Sequence, residues 1–94
     1  MKHYIIVKYN ETVTGKEALY GEVSKLFEDA REIMGVRGVE LFRSVTDFPN
    51  RYDLMIVLDM EDNALRSFDQ SELHYVWKRD YAKYIASKAI FDSI

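Results

Sequence analysis

The sequence predicts a two-layer α+β fold, in which four strands form one sheet and helices cover one of its faces. Segments rich in β-branched and aromatic residues alternate with amphipathic segments of helical period along the 94 residues. Their order is strand, helix, strand, strand, helix, strand, which is the split βαβ pattern of a ferredoxin-like fold. No linker, repeat or low-complexity segment interrupts them, so we expect residues 1–94 to form a single domain.

The first strand and helix are indicated by the residues up to position 35. Residues 3–9 read HYIIVKY and predict the first strand. Thr14 stands three residues before Glu17, which is the spacing of a capping box and predicts the start of a helix. Apolar residues then recur at helical spacing as far as Ile33, which corresponds to about five turns, and Gly35 is expected to end the helix.

The next two strands are separated by a turn that contains the only proline. Residues 39–45 predict the second strand, after a turn that includes Gly38. Residues 48–51 read FPNR and predict a turn, because proline cannot donate a hydrogen bond inside a sheet. Residues 52–60 read YDLMIVLDM and predict the third strand.

The last third of the chain predicts two helices and the fourth strand. Asp62 is expected to cap a short helix that ends at Phe68. Ser71 then has the character of a new N-cap, for a helix over residues 72–86. Residues 88–94 read KAIFDSI and predict the last strand.

Both faces of the predicted sheet are apolar. Side chains at alternate positions of a strand point to opposite faces. One face combines His3, Ile5, Val7 and Tyr9 of the first strand with Leu54, Ile56 and Leu58 of the third. The other face combines Tyr4, Ile6 and Lys8 of the first strand with Met55 and Val57 of the third, to which Phe42 and Phe91 add. Because helices can cover only one face, we expect the open face to pack against a second copy in a homodimeric α+β barrel. The alternative is a monomer with incidental apolar surface.

Composition excludes several classes of function. The chain has 13 basic and 16 acidic residues and no basic run, so nucleic acid is not an expected partner. It has no cysteine, which excludes disulfides, thiolate catalysis and cysteine zinc sites. Neither a secretory leader nor an apolar run of the ~20 residues that a membrane helix needs is present. We therefore expect a cytoplasmic protein without a membrane partner.

The two histidines are the candidate functional residues. His3 opens the first strand, and His74 shares a helix face with Trp77, Lys78 and Tyr81. An imidazole beside apolar groups has its pKa lowered by burial, which would keep it neutral and suited to act as a general base. The alternative is a hydrogen-bonded structural histidine. We expect no metal ion and no other cofactor, because no acidic residue is inferred beside either histidine on the same face.

Four segments together resemble the stress-responsive dimeric α/β-barrel (Dabb) family. They are the opening KHYIIVKY, the strand RYDLMIVLDM, the helix start SELHYVW and the closing KAIFDSI. The resemblance covers residues 2–91 and implies a ferredoxin-like subunit in a homodimeric barrel. The resemblance is closest in detail to a plant polyketide cyclase of this family. It implies that His74 matches the catalytic base of that enzyme and that His3 matches its assisting histidine. Ile90-Phe91-Asp92 matches part of its last strand.

The same comparison shows departures from that cyclase. The catalytic base of that cyclase is the second histidine of a His-Pro-x-His stretch, whose first histidine and proline fall on Ser71 and Glu72 here. A pocket histidine on its third strand falls on Leu54. The tyrosine that polarises a substrate carbonyl falls on Phe68, which cannot donate a hydrogen bond. The same cyclisation is therefore not expected.

A ligand pocket is predicted between sheet and helices, near the two histidines. Its expected lining is Ile5, Val7, Val23, Leu26, Phe27, Val39, Leu54, Ile56, Phe68, Trp77, Tyr81 and Ile85. The same residues would also form an ordinary core, and only the enclosed volume separates the two interpretations.

Three functions remain open at this point. The first is a homodimeric protein that binds a small apolar or aromatic ligand. The second is a cofactor-free enzyme of the cyclase, lyase or isomerase type, with His74 as general base and His3 orienting it or the substrate. The third is a non-catalytic interaction module, which would have a solid core and no need of His74.

Overall fold

The computed structural model describes residues 1–94 and confirms the predicted βαββαβ fold. The strands are β1 (Lys2–Tyr9), β2 (Val36–Arg43), β3 (Leu54–Met60) and β4 (Ile85–Ser93), and the helices are α1 (Lys16–Glu28), α2 (Leu65–Asp69) and α3 (Glu72–Tyr81). Two 3₁₀ turns, Asp29–Glu32 and Ala82–Tyr84, follow α1 and α3. None of these helices could span a bilayer, since the longest of them, α1, has 13 residues.

The sheet has the strand order β2-β3-β1-β4, and every neighbouring pair is antiparallel. β1 therefore lies inside the sheet, between β3 and β4. Ile5 of β1 pairs with Ile56 on one side and with Ile90 on the other. The chain termini are brought together in this way, since His3 lies directly opposite Asp92.

Alternation along β1 decides which face meets the helices. His3, Ile5, Val7 and Tyr9 are all buried, whereas the residues between them are half-exposed. The helices cover this face with Leu19, Val23 and Phe27 of α1, Phe68 of α2, and Leu73 and Trp77 of α3. Burial of such side chains contributes roughly 1.5–3 kcal/mol each, so this layer supplies most of the drive to fold.

The opposite face of the sheet carries the apolar side chains that alternation predicts. The strand registers place Tyr4 beside Val57 and Phe91, and Ile6 beside Met55, which in turn pairs with Phe42. The rings of Tyr4 and Phe91 are 5.9 Å apart, and Phe91 remains 62% exposed. This surface, called here the open face, is left uncovered by the helices.

Two predicted helix caps are wrong. α1 begins at Lys16 after Gly15 and has no side-chain cap, so Thr14 lies one residue too early for its hydroxyl to cap the first turn. Asp62 does not cap α2, whose N-cap is Ala64; its carboxylate lies 3.4 Å from the N-terminal amine of Met1. In both places the backbone turns one or two residues later than the capping residue suggests.

The strand boundaries also differ from the predicted ones. β2 begins at Val36 and includes Gly38, where its register against β3 shifts. α3 ends at Tyr81, and β4 already begins at Ile85 because it pairs along the whole of β1 as far as Tyr9. Long-range pairing thus ends the helix earlier than its apolar period suggests.

Gly35 is the glycine whose replacement by alanine should lower the stability of the fold most. Its φ is +89°, and an added Cβ would lie 2.6 Å from the Cβ of Ala64. We predict that Gly35→Ala lowers the free energy of unfolding by about 2 kcal/mol or more, measured by urea denaturation. Gly21→Ala is the control, because a Cβ there meets nothing within 4 Å on α1; it should raise stability by about 0.5–1 kcal/mol. Equal effects of the two changes would contradict this account.

Candidate functional site

His3 is held in the helix-facing row of β1 by a carboxylate on β4. Its side chain is 7% exposed, and Nδ1 lies 2.5 Å from Oδ1 of Asp92. The two residues are direct cross-strand partners, so the sheet itself sets this contact. A carboxylate that accepts the Nδ1 proton fixes the ring orientation and leaves Nε2 as the second functional nitrogen.

The backbone of His74 is held by the N-cap of α3. The hydroxyl of Ser71 accepts the backbone N–H of His74 at 3.1 Å and donates to the carbonyl of Phe68 at 2.6 Å. The prediction that Ser71 caps this helix is confirmed. The first turn of α3 is thereby tied to the end of α2, and His74 has a defined starting position for its side chain.

The environment of His74 favours its neutral form. Burial lowers the pKa of the imidazole below its usual value of 6.5, and the positive charges of Lys78 and Lys88 lower it further. The Asp69 carboxylate, 3.9 Å from Nε2, opposes this shift without cancelling it. At neutral pH the ring can therefore accept a proton, which is the property that a general base needs.

The ring of Phe68 contacts both imidazoles edge-on. Its ring centroid is 5.7 Å from that of His3 and 5.2 Å from that of His74, with interplanar angles of 60° and 71°. Trp77 extends this aromatic surface. Its ring centroid is 5.3 Å from that of Phe27, which contacts it edge-on, and 5.8 Å from that of Tyr81, which stacks on it. Both histidines thus border one aromatic surface.

These groups line one cavity of about 260 Å³, open to solvent on one side, between the sheet edge at β4 and the helices α2 and α3. We call it the histidine cavity. Its lining is His3, Ile5, Leu65, Phe68, Asp69, His74, Trp77, Lys88, Ile90 and Asp92. Half of these residues are apolar and half carry ionisable groups, which is the mixture of walls and orienting groups that small-molecule sites use.

The structure brings together His3, His74, Ile5, Phe68 and Trp77 of the predicted set. The remaining residues of that set lie elsewhere. Val7, Val23, Phe27, Leu54 and Ile56 are fully buried core residues outside the lining of the histidine cavity, and Val39 is also buried. They pack at the centre of the sheet and under α1, where side chains fill the space.

Leu26, Tyr81 and Ile85 are half-buried at the margin of this core. Leu26 borders a different depression, between α1 and α3. The hydroxyl of Tyr81 donates to Glu22 of α1 at 3.3 Å, which directs it away from the histidines.

Five lining residues were not predicted from the sequence: Leu65, Asp69, Lys88, Ile90 and Asp92. The expectation that no acidic residue lies beside either histidine is wrong, because Asp92 contacts His3 and Asp69 approaches His74. Alternation along the last strand places Lys88, Ile90 and Asp92 on one face and could have indicated them as a group. No cluster of three or more His, Asp or Glu side chains is arranged to hold a metal ion.

Solved structures with the same fold include members of the family that the sequence resembles. A dimeric protein of unknown function with a ferredoxin-like fold from Bacteroides fragilis matches with a TM-score of 0.81 at 14% identity, over 98% of this chain and 92% of that one. A Dabb family protein from Mesorhizobium loti matches with a TM-score of 0.65 at 16% identity, over 99% and 93% of the two chains. The resemblance to the Dabb family therefore extends to the fold.

A third solved structure of this fold is an enzyme, the hydroxynitrile lyase from Passiflora edulis. It matches with a TM-score of 0.73 at 7% identity, over 96% of this chain and 87% of that one. At such identities the likeness concerns the fold alone.

Comparison of the sequence alone finds fewer related proteins than comparison of the structure. No family model matches the chain. The ribosomal protein uS12 methylthiotransferase RimO of Acetivibrio thermocellus is 35% identical over 63 residues, which are 67% of this chain. The chain spans 14% of the length of that relative.

The lowered pKa of His74 can be measured directly. We predict that NMR titration of the imidazole gives a pKa below 6.5, and that Asp69→Asn lowers it further by removing the group that opposes the shift. Glu11→Gln, which removes the same charge from an exposed turn, should leave it unchanged. A His74 pKa above 6.5, or one that Asp69→Asn raises, would refute this description of the site.

The same shift makes stability depend on pH. Because folding lowers the pKa of His74, the unfolded chain binds more protons than the folded one between the folded pKa and 6.5. The His74 contribution to stability is therefore present above pH 6.5 and is lost as the pH falls towards the folded pKa. Urea denaturation of the native protein and His74→Gln across this range isolates the contribution; parallel curves would argue against it.

Proposed function

We propose that this protein binds a small apolar or aromatic ligand in the histidine cavity. The observation that carries the proposal is the contact of His3 and His74 with the same ring, Phe68, at the wall of one cavity. An aromatic floor with two oriented imidazoles can hold a ring by contact and a polar substituent by hydrogen bonds.

The size of the cavity limits the ligand. Its volume of about 260 Å³ is just below the roughly 300–1,000 Å³ of sites for drug-sized molecules. A single-ring compound with a short substituent fits such a space. Apolar contact would come from Ile5, Leu65, Phe68, Trp77 and Ile90.

The polar groups offer both donors and acceptors to such a ligand. Neutral His74 can accept or donate through its ring nitrogens, and the contact of Asp92 with Nδ1 leaves Nε2 of His3 without a partner. Lys88 borders the cavity without forming an ion pair, so its ammonium group is available to an acidic or carbonyl oxygen. A phenol or an aromatic acid combines these requirements.

A thermal-shift screen with single-ring phenols and aromatic acids tests the proposal. A ligand at about 100 times its Kd stabilises the folded state by about 2.7 kcal/mol, which for a chain of this size raises Tm by roughly 11–22 °C. Ile90→Arg should abolish the shift, because a long side chain at this half-exposed edge fills the cavity mouth. Ile94→Arg, at the exposed C-terminus, should keep it.

Two results would count against the binding function. One is that no compound of the panel raises Tm, while His74→Phe is as stable as the native protein; a non-catalytic interaction module would then be favoured. The other is that Ile90→Arg responds to the ligand as the native protein does, which would place binding outside the histidine cavity.

We further propose that the protein is a homodimer joined through the open face. Phe42 and Phe91 are 47% and 62% exposed there, beside Tyr4, Ile6 and Met55. Exposed apolar area of this kind is rare on monomers, and a two-fold axis would let each open face cover the other. Support also comes from the Bacteroides fragilis protein of the same fold, which is dimeric.

The assembly can be tested by substitutions on the two sides of the sheet. We predict that Phe42→Glu converts a dimer to a monomer in light scattering after size exclusion, because it introduces a charge into the apolar contact. Tyr75→Glu, at a 59% exposed aromatic residue of α3 on the helix side, should leave the dimer intact. A monomeric native protein, or equal effects of both variants, would contradict the proposed interface.

A second candidate function is cofactor-free lyase-type catalysis with His74 as general base. The specific observation in its favour is the lowered pKa of His74, which keeps the imidazole unprotonated at neutral pH. His3, which is oriented by Asp92 and also contacts Phe68, would position the substrate. The hydroxynitrile lyase of the same fold suggests aromatic hydroxynitriles as first substrates to try.

Cyanide release from an aromatic hydroxynitrile separates catalysis from binding. If His74 is the base, kcat/KM should rise with pH through the pKa of His74 and then level off, while His74→Asn should reduce it by roughly 10²–10⁴-fold. Arg66→Gln, an exposed change on α2, is the control and should have no effect. Equal rates for the native protein and His74→Asn would leave ligand binding alone as the function.

A further inference from the structure

An apolar groove lies on the helix side of the molecule, between the C-terminal end of α1 and the first turns of α3. It has a volume of about 340 Å³, and its lining residues are Leu26, Asp29, Glu32, Ile33, Ser71, Glu72, Leu73 and Val76. The floor is apolar, with Leu26, Ile33 and Val76 only half-buried. Because α1 and α3 cover the face opposite to the open face, the groove stays accessible when two sheets pack together.

The charge of the groove is of one sign. Asp29, Glu32 and Glu72 are exposed at its rim, and no basic residue lines it. None of the three carboxylates takes part in an ion pair. Nearby Arg31 donates instead to the carbonyl of Val39 at 3.2 Å, and Lys25 in the last turn of α1 forms no ion pair within 4 Å.

Two of these carboxylates lie where helix electrostatics disfavour them. Asp29 is the C-cap of α1, and Glu32 closes the 3₁₀ turn that continues it. The carbonyl end of a helix favours positive charge, so acidic residues there oppose local stability. In a 3₁₀ turn the side chains at positions i and i+3 eclipse, which places Asp29 and Glu32 on the same side. Such a local conflict is expected at functional positions, where a partner offsets it.

We propose that this groove docks a basic amphipathic segment of a partner protein, with Lys or Arg beside Leu, Ile or Met. The apolar side chains of the segment would cover Leu26, Ile33 and Val76, while its cations would meet Asp29, Glu32 and Glu72. Exposed ion pairs alone are weak in water. A small amine would therefore be held poorly, whereas a segment that also buries apolar groups combines both contributions.

A labelled Leu/Lys peptide with its leucines at helical spacing tests the proposal by fluorescence anisotropy. The expected result is saturable binding to the full-length protein, with no binding of the same peptide carrying Glu for Lys. A scrambled Leu/Lys peptide without an apolar stripe should bind at least tenfold more weakly. Two results would show general cation attraction and overturn the docking proposal. One is that the scrambled peptide binds as tightly as the Leu/Lys peptide, and the other is that spermidine at the same concentration displaces the Leu/Lys peptide.

Protein variants locate the binding on the groove. Glu32→Gln should lower the affinity for the Leu/Lys peptide by about two- to fivefold. Val76→Thr should lower this affinity by more, because it removes apolar contact at nearly constant side-chain shape. Glu11→Gln is the matched control, since it makes the same charge change at an exposed residue outside the groove. Equal losses for Glu32→Gln and Glu11→Gln, or no saturable binding by a protein with native circular dichroism, would overturn the proposal.

Discussion

Burial of one face of β1 is the constraint on which the rest of the structure depends. The strand lies between β3 and β4, and its helix-facing row begins with an imidazole and continues with Ile5, Val7 and Tyr9. Placing His3 in this row removes a polar ring from water, which is unfavourable unless the ring finds a hydrogen-bond partner. Asp92 on β4 supplies that partner. The pairing of the first and last strands therefore builds the core and one half of the candidate site together.

Much of this could be predicted from local patterns. Period-2 alternation identified β1 and β3 and both of their faces, and the serine at position 71 marked the start of α3. The predicted capping residues at 14 and 62 failed, because a cap requires a particular backbone turn as well as a suitable side chain. Strand alternation is a property of the chain alone, whereas the position of a turn depends on what the following segment packs against.

The site was less accessible to prediction, since it depends on long-range register and on volume. Asp92 meets His3 only because β4 pairs with β1 in one register, and a shift of one residue would turn its carboxylate to the other face. The predicted lining mixed wall and core residues, since Val7 and Ile56 have the same apolar character as Ile5. Ile56 lies on β3, one strand further from β4, and Val7 is completely buried although it pairs with Lys88 of β4. Only Ile5, opposite Ile90, reaches the cavity, and the apolar pattern alone cannot show this difference.

The fold offers three separate surfaces, which are the histidine cavity, the open face and the groove between α1 and α3, and the proposed ligand occupies the first. Native mass spectrometry of protein taken from cell extract without stripping tests that claim most directly. We predict the mass of two chains plus a small bound mass, which Ile90→Arg loses without loss of the dimer. A dimer that retains the same bound mass in Ile90→Arg would contradict binding in the histidine cavity, and a monomer would contradict the assembly.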